Sequence, residues 1–167
     1  KIVWHDYRNR NPDIYLYDLS TGQETQITTN PSYQYSPAIY GDKIVWVDQR
    51  NGNLDIYMHN LSTGQEIQIT TNSSNPPSNL YIPAIYGDKI VWHEIRNGDF
   101  DIYMYDLSTG QETRITTNPS EQHLPAIYQD KIVWQDERNG NVDIYMYNLS
   151  TGQETRITNH PSYKAYS

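Results

Sequence analysis

The hydrophobic pattern of this chain occurs four times. Each copy begins with Lys-Ile-Val-Trp, continues through a polar turn and reaches a second alternating run that begins with Asp-Ile-Tyr. Alternation of apolar and polar positions with a period of two is typical of β-strands. The copies start at Lys1, Lys43, Lys89 and Lys131, at intervals of 42, 46 and 42 residues. A fixed period of this length indicates an array of one supersecondary unit.

The first half of each unit predicts a hairpin. In the second copy, residues 44–48 place apolar groups on both faces, which is the pattern of a strand buried on both sides. Asn51-Gly52 then predicts a tight turn with positive φ at both central positions. The first copy has Asn9-Arg10 at this place, so we expect its turn to be looser or of another type.

The second half of each unit predicts two more strands. In the third copy, residues 101–107 alternate again and lead through Ser-Thr-Gly to a strand over residues 112–116, which has one polar face and is the predicted outer edge. A loop rich in Pro, Asn and Ser precedes a short strand, Pro-Ala-Ile-Tyr, which turns at Gly-Asp into the next copy. Four antiparallel strands in about 42 residues is the spacing of a β-propeller blade. No window has a 3.6-residue period, which argues against a helical solenoid.

The blade pattern resembles the TolB-like or WD40-like (PD40-type) propellers, which share Lys-Ile-x-aromatic, Asp-x-Arg-x-Gly-x-x-Asp-Ile-Tyr and Gly-x-x-x-x-(Leu/Ile)-Thr. All four copies carry this match, and the uniform Leu-Ser-Thr-Gly-Gln-Glu segment resembles multi-repeat cell-surface proteins of methanogenic archaea. The resemblance implies that Pro-Ala-Ile-Tyr is the innermost strand, with Lys-Ile-Val-Trp, Asp-Ile-Tyr and Glu-Thr-x-Ile-Thr following outward. The repeated framework residues include Trp4, Trp46, Trp92, Trp134, Asp48, Arg50, Asp136 and Arg138.

The predicted fold class is therefore all-β, a β-propeller of four-stranded antiparallel blades. We expect a single propeller domain, or a propeller fragment, over residues 1–167, with repeats at 1–42, 43–88, 89–130 and 131–167. The chain opens at the second strand of a blade and stops before a further Pro-Ala-Ile-Tyr, so the blade divided by the termini is expected to lack its inner strand. An unpaired strand edge is a template for another chain. Self-association through this blade is therefore one expectation.

Composition excludes several classes of protein. A net charge of −8 and a pI near 4.9 argue against nucleic acid as a partner, because nucleic-acid binding requires clustered Lys and Arg. No run approaches the roughly 18 apolar residues of a membrane span. The absence of Cys excludes a disulfide framework, a thiolate zinc site and a cysteine nucleophile.

Candidate chemistry is sparse in this sequence. The segment from Asp48 to Asp55 is rich in oxygen ligands, but its spacing is not that of an EF-hand and Arg50 would repel a cation. We expect Asp48 and Arg50 to lie on one strand face, to pair with each other or with a neighbouring blade and to tie down the turn, with Glu94 replacing the Asp in the third copy. The histidines have no metal-ligand spacing, and no nucleophile elbow or phosphate-binding loop occurs. The sequence therefore predicts no catalytic residue, no metal site and no cofactor.

Three positions fit the acceptor pattern for N-glycosylation, Asn-x-Ser or Asn-x-Thr without Pro at x. The pattern arises often by chance, and modification would require export of the protein. If the chain is exported from an archaeon, we expect sugar on at least one of these positions. They are Asn60, Asn72 and Asn148.

Differences between the copies are concentrated in the loops that precede the inner strand. The resemblance implies that these loops share one face with the Arg-Asn-Gly-Asn turns, and exposed Tyr offers rigid amphipathic contact area for proteins or sugars. An alternative is that the loops vary because nothing constrains them. The candidate binding residues are Tyr33, Tyr35, Asn79, Tyr81, Glu121, His123, Tyr163 and Tyr166, together with His5 and His93, which follow the repeated Trp.

These features predict a non-enzymatic β-propeller module of an extracellular or cell-surface protein. Its role would be the binding of a protein or glycan, in adhesion or in the assembly of a surface layer. One alternative is a structural protomer of an extracellular filament, completed by strand exchange. Another alternative, from the enzyme class, is a propeller domain that accompanies a peptidase or hydrolase.

Overall fold

The structure is a computed structural model that describes residues 1–71, 82–96 and 98–159. Within these ranges the chain forms fifteen β-strands and no helix, so the all-β prediction is confirmed. A search of the same residues for a helix long and apolar enough to span a membrane finds none. The chain divides into two compact units, Lys1–Ile85 and Tyr86–Ser167. The expectation of one domain over the whole chain stays a prediction.

The first unit contains a three-stranded and a four-stranded antiparallel sheet. The first sheet has the order β1-β2-β3, and within the described residues it has no inner strand, as predicted. The second sheet has the order β4-β5-β6-β7. The strands are β1 (Ile2–Asp6), β2 (Asp13–Asp18), β3 (Gln23–Gln26), β4 (Gln34–Tyr40), β5 (Lys43–Asp48), β6 (Asp55–Asn60) and β7 (Gln65–Gln68).

The remaining strands form two four-stranded sheets. The third sheet has the order β11-β10-β9-β8, and the fourth has the order β12-β13-β14-β15. The strands are β8 (Ala84–Tyr86), β9 (Lys89–Ile95), β10 (Phe100–Asp106), β11 (Gln111–Arg114), β12 (Gln122–Tyr128), β13 (Lys131–Asp136), β14 (Asp143–Asn148) and β15 (Gln153–Arg156).

Strand order within the sheets agrees with the order of a propeller blade. In each four-stranded sheet the Pro-Ala-Ile-Tyr strand lies at one edge and the Gln-Glu strand at the other. Within the first unit, β4 packs beside β1 and β2 of the preceding sheet. Within the second unit, β12 packs beside β9 and β10 in the same way. The inner strand of one blade therefore covers the preceding blade.

Burial follows position in the sheet. The core of the first unit is the cluster of Ile14, Leu16, Ile44, Trp46 and Tyr57, which come from the first two sheets. Strand β5 is buried on both faces, as predicted. By contrast, β11 is exposed at all four residues, although one buried face was predicted. An outer strand has a partner on one side only and no sheet over it, so water reaches both faces.

The hairpin turns differ from the prediction in two details. Gly52 N donates to Gln49 O at 3.0 Å, and Gly52 has a φ of 83°, whereas Asn51 keeps a negative φ. This is a type I turn followed by one left-handed residue, rather than a turn with two positive φ values. In the first sheet, Arg10 adopts the same left-handed conformation, with a φ of 78°, and donates to Tyr7 O at the same 3.0 Å. The turn of the first copy is therefore neither looser nor of another type.

Two of the inner strands are longer than predicted, whereas β8 has only three residues. Strands β4 and β12 begin at Gln34 and Gln122, so Tyr35 and His123 lie in strands and not in the preceding loops. The register shifts by one residue within each strand, at the point where Ser36 and Leu124 have φ values of 52° and 50°. A residue in the left-handed conformation is typical of a β-bulge. The bulge lets the strand pass a proline without losing its pairing.

Candidate functional site

A network of five side chains stabilises each hairpin. In the second sheet, Trp46 Nε1 donates to Asp48 Oδ2 at 3.0 Å, and Arg50 pairs with the same oxygen at 2.6 Å. Asp48 Oδ1 accepts from Arg50 N at 2.9 Å, which fixes the start of the turn. The guanidinium lies 4.2 Å from the centre of the Tyr57 ring and also pairs with Glu66 on the outer strand. These hydrogen bonds raise the pKa of Arg50 above its ordinary value, with Asp48 as the main cause.

The same network is present in the other three sheets. Glu94 replaces the Asp in the third sheet, and its longer side chain still accepts from Trp92 Nε1 at 3.0 Å and pairs with Arg96 at 2.7 Å. The predicted pairing of Asp with Arg is therefore confirmed. Because these groups satisfy one another inside each blade, they form the framework that presents the adjoining loops. The equivalent residues are Trp4, Asp6 and Arg8 in the first sheet, and Trp134, Asp136 and Arg138 in the fourth.

A second buried network was not anticipated from the sequence. Thr70 Oγ1 accepts from Ile56 N at 2.9 Å and donates to Asp55 Oδ1 at 3.1 Å, and both polar side chains are buried. Thr116 and Asp101 repeat this arrangement in the third sheet. The repetition of Ile-Thr after each outer strand was the available signal, since a buried carboxylate requires hydrogen-bond partners. This network ties the outer strand to its neighbour.

Two glycosylation candidates have a local structural role. Asn60 Oδ1 accepts from Ser62 N at 3.0 Å and from Ser62 Oγ at 2.7 Å, which closes the Ser-Thr-Gly turn. In the third sheet the carboxylate of Asp106 accepts the same two bonds from Ser108. The turn needs a short side-chain acceptor, so Asn-x-Ser arises there without any requirement for sugar. Asn148 occupies the same position in the fourth sheet, and Asn72 lies outside the described residues.

In the first unit, the loop before β4 lies against the hairpin turn of the same sheet. Asn30 Oδ1 accepts from Ser32 N at 3.0 Å, and Tyr33 O accepts from Gln49 N at 3.0 Å. The two segments border an open cleft of about 340 Å³, lined by Pro31, Ser32, Tyr33, Gln49 and Gly52. The Tyr33 side chain is 54% exposed. This ring is therefore accessible to a partner.

Three other aromatic residues of the first unit lie on β1, on β4 and in the turn after β1. His5 is exposed, and its ring lies 5.9 Å from that of Tyr7 in an edge-on arrangement. Tyr35 is half-buried on β4, and burial raises the pKa of its hydroxyl, with nearby Tyr7 acting in the same direction. Of the candidates in this unit, Tyr33 and His5 are thus accessible, whereas Tyr35 is partly covered.

In the second unit, four side chains form a cluster that we call the imidazole cluster. Its members are His93, Phe100, Glu121 and His123. The ring of His123 lies 4.7 Å from Phe100 and 5.7 Å from His93. Glu121 Oε2 accepts from Phe100 N at 3.1 Å and lies 3.7 Å from His123 Nε2. Inner strand β12 supplies His123, and strands β9 and β10 supply His93 and Phe100. The cluster therefore lies between two adjacent blades of this unit.

The two histidines of the cluster differ in their surroundings. His93 is 5% exposed, and its Nδ1 has no hydrogen-bond partner. Burial, and then the proximity of His123, lowers the pKa of His93 to about 4. His93 is therefore neutral at pH 7, while the half-buried His123 faces Glu121 and solvent. His93, a candidate binding residue from the sequence, thus lies beneath the surface and does not offer an exposed ring.

Sequence reasoning missed Phe100 as part of this cluster. It is the single Phe of the chain and precedes Asp-Ile-Tyr, where the other copies have Pro12, Leu54 and Val142. An aromatic residue at a position that varies between copies was the available signal. Among the described residues, no group of three or more His, Cys, Asp and Glu side chains could hold a metal ion. The candidates Asn79, Tyr81, Tyr163 and Tyr166 lie outside the described residues.

Comparison with known proteins identifies the blade. A family model described as the TolB beta propeller domain (PD40) matches residues 1–131. A search of curated proteins by sequence finds no match. Among solved structures, TolB from Acinetobacter baumannii is 24% identical with a TM-score of 0.69, and the match covers 96% of this chain and 41% of that one.

Two further solved structures have the same fold at lower identity. Oligogalacturonate lyase from Vibrio parahaemolyticus is 16% identical with a TM-score of 0.71, covering 96% of this chain and 49% of that one. The β-propeller domain of the Trilobed protease from Pyrococcus furiosus is 14% identical with a TM-score of 0.69, covering 91% of this chain and 47% of that one. The chain thus spans less than half the length of each of these structures. Because the family match covers most of the chain and all four copies carry the blade pattern, this protein belongs to the TolB β-propeller domain family.

Proposed function

We propose that this chain is a non-enzymatic binding module of a secreted or cell-surface protein. It would contact a protein or glycan partner through the variable face of a unit, which we define separately for each unit as the Tyr33 cleft in the first and the imidazole cluster in the second. One observation carries the proposal. The framework networks are nearly identical in all copies, whereas the residues that differ lie beside the hairpin turns and include the 54% exposed Tyr33.

The chemistry of the variable face supports binding. Tyr combines a large apolar ring with a hydroxyl group, and it loses little conformational entropy when it is immobilised in an interface. The backbone hydrogen bond between Tyr33 and Gln49 anchors the loop to a rigid sheet. In the second unit, Glu137 N donates to Glu121 O at 3.1 Å and anchors the equivalent loop. A pre-organised loop loses less entropy on binding than a free one.

The experiment is a selection of ligands with a matched pair of variants. The 167-residue chain is screened against a random peptide display library and an array of oligosaccharides. We expect micromolar ligands whose affinity falls about tenfold in Tyr33→Ala or His123→Ala, the usual effect of losing a binding hot spot. Leu19→Ala is the control, because Leu19 is 64% exposed on a turn of the framework. The absence of any ligand, or ligands equally sensitive to Leu19→Ala, would refute the proposal.

A second candidate function rests on the first sheet. Strand β1 is the edge of a three-stranded sheet in the described residues, while the equivalent β5 and β13 each pair with an inner strand. A strand of the Pro-Ala-Ile-Tyr type, from this chain or another copy, would complete the sheet by β-augmentation. Strand exchange between copies would give a filament. Polymers in electron micrographs that disappear when Val3→Pro is introduced would support this function, and a monomeric wild-type protein would exclude it.

A third candidate is a propeller domain that accompanies a catalytic domain. The similarity to the propeller domain of the Trilobed protease supports this possibility at the level of the fold. In that case the variable face would guide substrate to an enzyme elsewhere in a longer protein. A peptidase or hydrolase domain in the same gene would decide for this function.

A further inference from the structure

The inner strands end in a tyrosine at the end opposite the variable face. In the fourth sheet, Tyr128 lies five residues beyond His123 on the same strand, at most about 16 Å away at about 3.3 Å per residue. Its side chain is 65% exposed, more than that of Tyr33. Strand alternation explains why the Tyr128 side chain faces away from the half-buried Ile127, but it does not explain why a large aromatic ring occupies this exposed position.

The Tyr128 ring is held by an aromatic neighbour. Tyr86, at the end of β8, lies 5.0 Å from Tyr128, and the two rings are inclined at 63°. Such an edge-to-face contact orients one ring and leaves much of the other accessible. Tyr128 also pairs across the following turn with Lys131. Since Tyr128 belongs to a paired strand, its ring is a rigid platform.

The polar side chains beside Tyr128 neutralise each other's charge. Lys131 Nζ lies 2.5 Å from Asp130 Oδ1, and Ser150 Oγ donates to Asp130 Oδ2 at 2.7 Å. The hydrogen bonds from Lys131 and then Ser150 lower the pKa of Asp130, so the carboxylate is ionised at neutral pH. The side chains of Asp130 and Lys131 are 35% and 40% exposed. They offer both donors and acceptors but no net charge.

The first unit has a related arrangement. Tyr40 ends the inner strand β4, is 39% exposed and borders a second open cleft of about 340 Å³, lined by Lys1, Ile39, Tyr40 and Gly41. Lys1 Nζ lies 3.7 Å from Asp42 Oδ1 at the rim of this cleft. The combination of an exposed Tyr with a paired Lys and Asp therefore occurs in each unit independently.

We infer that the tyrosine ends of the inner strands, represented by Tyr128 with Asp130 and Lys131, form a binding site for neutral oligosaccharides. A sugar ring presents one apolar face to an aromatic ring and hydroxyl groups to flanking donors and acceptors. The paired charges fit hydroxyl groups better than they fit ions, and the net charge of −8 disfavours acidic sugars. The cores of protein interfaces are depleted of Lys and Asp, so a protein partner fits this surface less well.

The test uses the 167-residue chain with cellohexaose and mannohexaose as neutral probes and a galacturonic acid hexasaccharide as the acidic probe. We expect at least one neutral probe to bind and to shift the ring signals of Tyr128 in the NMR spectrum of the wild-type chain. Tyr128→Ala should weaken that binding about tenfold or more, whereas Tyr128→Trp should retain it. Leu19→Ala, on a turn of the framework, should leave it unchanged, because Leu19 is 64% exposed and lies outside both candidate sites.

Three results would overturn the inference. They are the absence of binding to both neutral probes at millimolar concentration, binding of the acidic probe alone, and binding that Tyr128→Ala does not weaken. The near-ultraviolet circular dichroism of each variant verifies that the blades are folded. The NMR shifts of Tyr128 in the wild-type chain give an answer even if the Ala variant fails to fold. Failure of the variable face to bind a ligand would refute the proposed function alone, because Tyr33 and Tyr128 are probed separately.

Discussion

Arg10 and Gly52 occupy the same position in two hairpin turns, and both have left-handed backbone conformations, with φ values of 78° and 83°. Each backbone N–H closes its turn with a hydrogen bond of 3.0 Å. The left-handed conformation is costly for a residue with a Cβ atom and nearly free for Gly. The first blade thus keeps the shared turn geometry despite an unfavourable residue.

Replacement of Arg10 by Gly should stabilise the protein by about 1 kcal/mol, because it relieves the strained φ. The reverse test is Gly52→Ala, which should destabilise by a similar amount, since no atom lies within 4 Å of the added Cβ and backbone strain is the sole cost. Urea unfolding midpoints at constant m-value measure both changes. Equal destabilisation by the two substitutions would contradict this account of the turn.

The positive φ of Gln129 makes this residue the site of a second stabilising substitution. It stands at the first position of the two-residue turn between β12 and β13, with a φ of 54°, where the other copies have Gly41 and Gly87. Gln129→Gly should therefore raise the free energy of unfolding by about 1 kcal/mol. Gln129→Ala is the control and should bring no gain, because it keeps the Cβ atom. A gain of the same size in both variants would point to the Gln side chain and not to the backbone.

Asp48 should be far more important for stability than its equivalent, Asp6. The Asp48 side chain is fully buried and accepts hydrogen bonds from Trp46 and Arg50, so Asp48→Ala leaves both donors without their acceptor. The expected loss is about 3–5 kcal/mol, as for other broken buried ion pairs. Asp6 makes the same pair with Arg8, but its side chain is 28% exposed and water can replace it.

Thermal and urea unfolding of Asp48→Ala and Asp6→Ala, side by side, check this difference. The two variants remove the same chemical group from the same network, so they differ mainly in burial. A loss for Asp6→Ala as large as that for Asp48→Ala would show that burial does not govern the strength of the network.

The imidazole cluster should make stability depend on pH. The folded-state pKa of His93 is about 4, whereas an unfolded His titrates near about 6.5. Between these values the unfolded state binds more protons, so stability is complete above about pH 6.5 and falls as the pH falls toward 4. The shift corresponds to a loss of about 3 kcal/mol across this window. His123 and Glu121 are the other titratable side chains of this cluster.

Urea unfolding at pH 7, 5.5 and 4.5 measures this dependence. His93→Val is the informative variant, because Val47 occupies the same position in the second sheet. It should remove most of the extra loss at acidic pH, while His5→Val, at an exposed position, should leave the profile unchanged. An identical pH profile for the wild type and His93→Val would rule out His93 as the cause.

Substitutions of Asn60 can test its structural role in the turn separately from its role as a possible glycosylation site. Asn60→Asp keeps a side-chain acceptor for Ser62, as Asp106 does for Ser108, and should preserve stability while it removes the acceptor pattern. Asn60→Ala should cost about 1 kcal/mol, because the turn loses its side-chain hydrogen bonds. Intact mass of the protein exported from an archaeal host shows whether sugar is attached. A bare polypeptide mass would exclude modification at Asn60 and at the other two acceptor positions.

The sequence by itself determined the blades. Alternating residues, the repeated Asp–Arg spacing and the glycine turns predicted the strands and the framework pairs, and the resemblance to TolB-like propellers implied the order of the strands from the inner edge outward. They could do so because each of these features depends on residues close together in the chain. The left-handed Arg10 was beyond this reasoning, since the local preference of Arg opposes the conformation that pairing of β1 with β2 enforces.

Only the tertiary structure decided what surrounds the candidate site residues. His93, Phe100 and His123 belong to three strands, and their contact depends on how β12 packs beside β9 and β10. The burial of His93 and the exposure of Tyr128 follow from the same packing. In the sequence, His93, Phe100 and His123 stand at positions that differ between the copies, and Tyr128 ends the repeated Pro-Ala-Ile-Tyr segment. Burial and pKa, however, depend on neighbours distant in the chain, and a local pattern does not encode them.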